Sequence, residues 1–199
     1  MSIEAKLDNL FVRWKAVQLQ EAEALGLDHP DWFFPDGLVG DEAAWLNAPV
    51  KVLYILKEGN LSEPPKDFGF WFKRIAADDT SHIIKKRIQL MQREITGSDD
   101  LSVTAYMNLN KSGGKSVTDF NWLQAYATHP AIAPLIKEQI DILSPVVIVC
   151  CGCYGLVSGI MGEGAPYRLV DMWHPSDHFK SDEVYMAKFK KEWERKSNG

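Results

Sequence analysis

Apolar residues recur at Ile3, Leu7, Leu10, Phe11, Trp14 and Val17, three or four positions apart, behind Ser2 and ahead of Gly26. This spacing puts one side of a helix in a core, with Ser2 as its N-cap and the glycine as its stop, and predicts an amphipathic helix over 3–25. Residues 27–40 break the pattern. His29-Pro30, Pro35 and two glycines surround Trp32, Phe33 and Phe34, which reads as an irregular segment anchored by aromatics, with a short helix over 42–47 after it.

The run VKVLYIL at 50–56 is short, β-branched and bounded by Pro49 and Gly59, the pattern of a strand buried on both faces. Helical spacing returns over 68–77 and 81–95, the latter with Ile83, Ile84, Ile88, Leu90, Met91 and Ile95 apolar among basic residues. A second strand is expected over 101–109, helices over 118–126 and 131–143, a third strand over 146–151 and a fourth over 167–172. A closing helix over 182–196 carries Val184, Tyr185, Phe189 and Trp193 on one side. No internal repeat, low-complexity stretch or linker interrupts this order.

Strands alternating with helices predict an α/β fold, a three-layer α/β/α sandwich around a four-stranded parallel sheet. Right-handed crossovers then bring every loop that follows a strand to one edge, where open α/β sheets bind ligands. Four polar loops are expected there: Lys57-Glu58-Gly59-Asn60, Asn108-Leu109-Asn110-Lys111, Gly152, and His174-Pro175-Ser176. Residues 1–199 are expected to form one domain, with 1–48 as a helical extension packed on it.

Composition narrows the picture. With 46% hydrophobic and 25% charged residues, a packed core is expected and a long disordered region is not. Neither a secretory leader nor a run of apolar residues long enough to span a bilayer is visible, so no membrane is expected. Cys150, Cys151 and Cys153 lie too close together for a disulfide framework, which suggests a reducing, cytoplasmic compartment. The net charge of −5 argues against broad coating of a nucleic-acid backbone. A narrow basic site remains open, because Lys57, Lys66, Lys73, Arg74, Lys85, Lys86, Arg87, Lys111 and Lys115 fall in one stretch of the chain.

Four segments together resemble the uracil-DNA glycosylase superfamily. VLYILKEGN is similar to that family's first motif, a strand ending in a loop of the type GQDPY, GEAPG or GINPG. AYMNLNKSG resembles the strand that supplies a base-reading asparagine, KEQIDILSPVVIVCCG the helix, proline, apolar strand and glycine that follow, and WHPSDH the closing HPS motif. The segments occur in the family's order over roughly 50–180, and this joint occurrence is what makes the likeness specific. The resemblance implies a monofunctional DNA glycosylase. Glu58 takes the catalytic acidic position, Asn108 reads the base, His174 belongs to HPS, and Lys57 and Lys111 match neighbouring motif positions. DNA with one nucleotide flipped out is the implied partner, and a monomer is expected.

The chemistry fits those residue types. Breaking the bond from sugar to base leaves positive charge on the sugar and negative charge on the leaving base, so a site needs an anion and a hydrogen-bond donor. An ionised Glu58 would stabilise the sugar cation and orient or deprotonate water, while His174 would donate to O2 of a departing pyrimidine. Asn108 carries both donor and acceptor for the edge of an extruded base. Phe68 and Phe70 are the candidates for a stacking surface. Lys57, Lys111, Ser176 and the backbone at Gly152 are candidates for phosphate contact.

Three departures from the family qualify these expectations. The clustered cysteines lack the dispersed set of the iron–sulfur branch, so neither an iron–sulfur cluster, another cofactor nor a metal is expected. Gly59 replaces a proline and loosens the catalytic loop. Asn60 replaces the tyrosine that blocks the pyrimidine 5-position in classical uracil enzymes, which implies a modified or bulky pyrimidine as substrate, in repair or in defence against phage DNA. Other readings stay open: Glu58 as a solvated loop charge, Asn108 as a turn residue, His174 as a structural histidine, and Lys57 or Lys111 as a Schiff-base nucleophile. At the level of function, a binding module that no longer turns over, or a hydrolase of free nucleosides or nucleotides, would use the same fold.

Overall fold

The computed structural model describes residues 1–60, 71–78, 82–114 and 117–197, with Asn60, Trp71, Lys196 and Ser197 described by backbone alone. The chain runs α1 (Ile3–Gln20), β1 (Gly37–Leu38), α2 (Glu42–Leu46), β2 (Val52–Asn60), α3 (Trp71–Ala77), α4 (Ile83–Thr96) and β3 (Thr104–Gly114). It continues with α5 (Phe120–Thr128), α6 (Ala133–Leu143), β4 (Val147–Cys151), α7 (Tyr154–Met161), β5 (Arg168–Met172) and α8 (Asp182–Ser197). None of the described helices is long and apolar enough to cross a membrane.

Instead of the expected four-stranded parallel sheet, the described residues form five strands in the order β1-β3-β2-β4-β5, all parallel except β1. The extra strand is only two residues long and pairs antiparallel with β3, Gly37 opposite Tyr106 and Leu38 opposite Ala105. Alternation along β2 feeds a core on each face of the sheet. Leu53 and Ile55 pack with α1, α5, α6 and α7, whereas Val52, Tyr54 and Leu56 pack with α3, α4 and α8. Helices therefore cover both faces, as a parallel sheet requires.

Local signals explain most element ends. Ser2 Oγ accepts from the Ala5 amide and starts α1, whose buried stripe is Leu7, Leu10, Trp14 and Gln18. The helix stops at Gln20 rather than reaching 25, because the Leu25 carbonyl accepts from Trp122 Nε1 at 2.9 Å and Gly26 takes φ +60°. Gly97, at φ +80°, closes α4. Helix α7 has no counterpart among the expected elements, since Gly155 and Gly159 dilute a short sequence that its buried Leu156, Val157 and Met161 nevertheless dock.

The topology locates the site. The crossover from β2 through α3 and α4 leads to β3 on one side, and the later crossovers lead to β4 and β5 on the other. Strand order therefore reverses between β2 and β4, and a crevice opens beyond their carboxyl ends.

Candidate active site

A cavity of about 780 Å³ occupies that edge, and Lys57, Glu58, Asn108, His174 and Ser176 all line it. Five of the expected site residues thus share one chamber although they come from three separated stretches. Phe68 and Phe70 lie outside the described residues, and Asn60 is placed only through its backbone, at the end of β2.

Strand β3 supplies one wall. Side chains two apart on a strand share a face, so Tyr106, Asn108 and Asn110 form a row toward the site. Asn110 lies opposite Glu58, and its Nδ2 donates to Glu58 Oε2 at 3.3 Å and to the Gly113 carbonyl at 2.6 Å. Asn110 Oδ1 is fixed in turn by the Ser112 amide and hydroxyl. Gly114 completes the seat: a Cβ there would come within 2.5 Å of Glu58 Cγ and Oε2. The carboxylate is therefore held by an amide on one side and by the absence of a side chain on the other.

Asn108 is fixed through its backbone. Its amide donates to Asp36 Oδ2 at 2.7 Å, and its carbonyl accepts from Lys111 Nζ at 2.8 Å. The Asn108 side chain is within hydrogen-bond range of the Tyr106 phenol, whose pKa burial and the nearby Asp36 charge both raise. Asn108 Oδ1 is buried and receives no hydrogen bond from any described residue. A buried acceptor without a donor is unfavourable, and a turn of the carboxamide toward the cavity that Asn108 lines would let a ligand N–H satisfy it.

Lys111 corrects an expectation. It is fully buried, with Nζ 2.6 Å from both Asp36 oxygens, so neither a phosphate nor a sugar can reach it. Burial pulls its pKa down, and the Asp36 charge acts in the opposite sense. Asp36 also accepts from Gln139 Nε2 at 2.7 Å. The network ties the segment before β1 to β3 and puts Phe34, Pro35 and Asp36 into the cavity wall.

Gly152 corrects another. Its amide donates to the Met172 carbonyl at 2.6 Å and is not free for an anion. What the position needs is its backbone conformation, at φ +79°, which side-chain-bearing residues rarely adopt; a Cβ there would make only ordinary contacts with His174 and Lys57. Gly152 turns the chain after β4 rather than binding phosphate.

His174 Nδ1 is 2.7 Å from Ser176 Oγ and accepts from the Ser176 amide at 3.3 Å. Two donors at Nδ1 leave the proton of the neutral ring on Nε2. Burial, and then the Lys57 charge, lower the His174 pKa to about 4, with Asp177 opposing. The unfolded imidazole takes a proton below about 6.5, the folded one only near 4. Its contribution to stability is therefore complete above 6.5 and is lost as the pH falls from there through 4. Urea midpoints should drop more between pH 7 and pH 5 in the wild type than in His174→Gln; equal drops would contradict this account.

Several lining residues were not expected. Phe72 and Tyr106 stack at 4.3 Å and 10° in the wall. His82, Asp177, His178 and Phe179 also line the chamber, and Phe179 is 87% exposed at its rim. The sequence does point to Tyr106, two residues before Asn108 on one strand. It does not point to Phe72, because an apolar helix residue looks the same whether it meets core or cavity. The three cysteines are buried in the sheet and the turn after it.

No protein-family model and no curated protein matches the chain. Fold and site together define an α/β protein with a carboxylate, a carboxamide and an imidazole around a nucleotide-sized chamber.

Proposed function

We propose that this protein is a DNA glycosylase of the uracil-DNA glycosylase type, which hydrolyses the bond between deoxyribose and a flipped-out pyrimidine. One observation carries the reading: Glu58, Asn108 and His174, taken from three separate strand ends, line one cavity. The reaction follows from their chemistry. As the C1′–N bond breaks, its electron pair leaves with the base, and the neutral His174 donates from Nε2 to the oxygen where that charge gathers. Glu58 stabilises the sugar cation, directs a water oxygen to C1′ and takes up the water's proton. Asn108 Oδ1 accepts an N–H from the base edge, and the Phe72–Tyr106 pair provides an aromatic wall beside it.

The base we favour is a modified, 5-substituted pyrimidine, on the ground that Asn60 stands where the related enzymes carry a blocking tyrosine. Release is hydrolytic. Lys111, sealed against Asp36, is unable to form a Schiff base, and borohydride should trap no adduct through Lys57.

Duplex oligonucleotides carrying uracil or one of several 5-substituted pyrimidines, incubated with the protein and then heated in alkali, should break at the modified base. An Asn108→Ala protein should leave them intact. Intact strands with every base would defeat the glycosylase reading, and cleavage at uracil alone would defeat the choice of base. Phe179, exposed beside the cavity, is the side chain we assign to fill the space that an extruded nucleotide vacates. Phe179→Ala should slow duplex cleavage roughly tenfold, in line with the ~1–3 kcal/mol of one aromatic–base stack, and leave single strands unaffected. Equal slowing on both would remove that role.

A further inference from the structure

The loop between β5 and α8 carries His174, Ser176, Asp177, His178 and Phe179 into the cavity, and its shape is set from outside the site. Arg87, on α4, is 1% exposed. Its Nη1 donates to the carbonyls of Pro175 at 3.2 Å and Asp177 at 2.7 Å, its Nη2 to that of Lys180 at 2.5 Å, and its Nε to Asp182 Oδ1 at 3.0 Å. The Tyr185 ring lies 4.5 Å from the guanidinium carbon, and the Tyr185 hydroxyl donates to the Trp173 carbonyl at 2.8 Å. Together the two side chains hold the backbone on both sides of His174. The same helix begins with Ile83 and Ile84, which line the cavity, so Arg87 also fixes the spacing between that wall and the imidazole.

We propose that Arg87 is a positioning residue for His174: its planar fork of donors turns the carbonyls of Pro175, Asp177 and Lys180 inward, which presents the loop's side chains to the cavity. A lysine keeps the charge but loses the fork. Removing a buried cation is costly in any protein, so stability alone does not test the role. The diagnostic is the environment of the imidazole. The charged groups facing His174 are Lys57 from β2 and Asp177 from its own loop, and both keep their charge in Arg87→Lys, so a change in the imidazole reports a change in the loop around it.

The experiment is an NMR titration of the histidine rings in the full-length protein, wild type and Arg87→Lys. His29 and His129, away from the loop, serve as internal references. In the wild type His174 stays neutral until the pH approaches 4. In Arg87→Lys the loosened loop admits water, and the His174 midpoint should move up by more than one pH unit while both references hold still. An unchanged His174 midpoint in a folded variant overturns the proposal. Should Arg87→Lys fail to fold, Asp182→Asn keeps the arginine and removes the carboxylate that aligns it. That variant should shift His174 upward by a smaller amount, and no shift there overturns the proposal too. The catalytic part of the inference rests on the glycosylase reading, but the titration does not. A protein that releases no base yet shows the shift loses only that reading, and one that cleaves DNA without showing the shift loses only Arg87's role.

Discussion

Gly114→Ala should slow base release on the order of 10²-fold without unfolding the protein. The methyl group would meet Glu58 Cγ and Oε2 within 2.5 Å, and the yielding partner is the free end of a long side chain, so the carboxylate moves and the strands stay. Displacement of a catalytic group by about 1 Å costs on the order of 10²-fold. Glu58→Gln, which keeps the volume but removes the charge, should cost ~10²–10⁴-fold. Single-turnover cleavage reads both effects, and thermal melts should place both variants within a few degrees of the wild type. Wild-type rates in Gly114→Ala would mean that the seat for Glu58 described above has no part in catalysis.

Asp36→Ala has the largest expected effect on stability. It strands the Lys111 ammonium, which is fully buried, and takes an acceptor from Gln139 and from the Asn108 amide. Breaking a buried ion pair by removing one partner costs about 3–5 kcal/mol, a large share of the ~5–15 kcal/mol that holds a domain together. Urea unfolding should show that loss, and Asp36→Leu combined with Lys111→Met should regain much of it, because no unpaired charge is left inside. A loss below about 1 kcal/mol in the single variant would show that the pair is solvated in the folded protein.

The same two residues mark the limit of what the chain discloses before it is folded. Periodicity located the strands that became β2, β3, β4 and β5 and the helices between them other than α7, because each of these has its own apolar rhythm, which Gly155 and Gly159 dilute in α7. Strand β2 runs on to Asn60, past the apolar run, since backbone pairing of Glu58 with Asn110 continues where apolar side chains stop. Strand β1 has no rhythm to find: it is two residues held by Asp36 and by bonds such as the Phe34 amide to the Lys111 carbonyl at 2.8 Å. Nothing near Lys111 in the chain reveals that its partner lies 75 positions earlier, and its match to a motif position of the family it resembles points to a phosphate contact instead. Glu58, Asn108 and His174 stood out because polar residues at strand ends of a parallel sheet must meet at one edge. Asn110, Gly114 and Arg87, which hold these residues or their loop, are recognisable only from contacts in space.

The pairing of Asp36 with Lys111 also bears on how the protein is made. Translation delivers the front wall of the chamber long before the strand that must receive it, so residues 34–39 emerge with no sheet to join. They dock once β3 has formed, and the pocket is consequently a late product of synthesis.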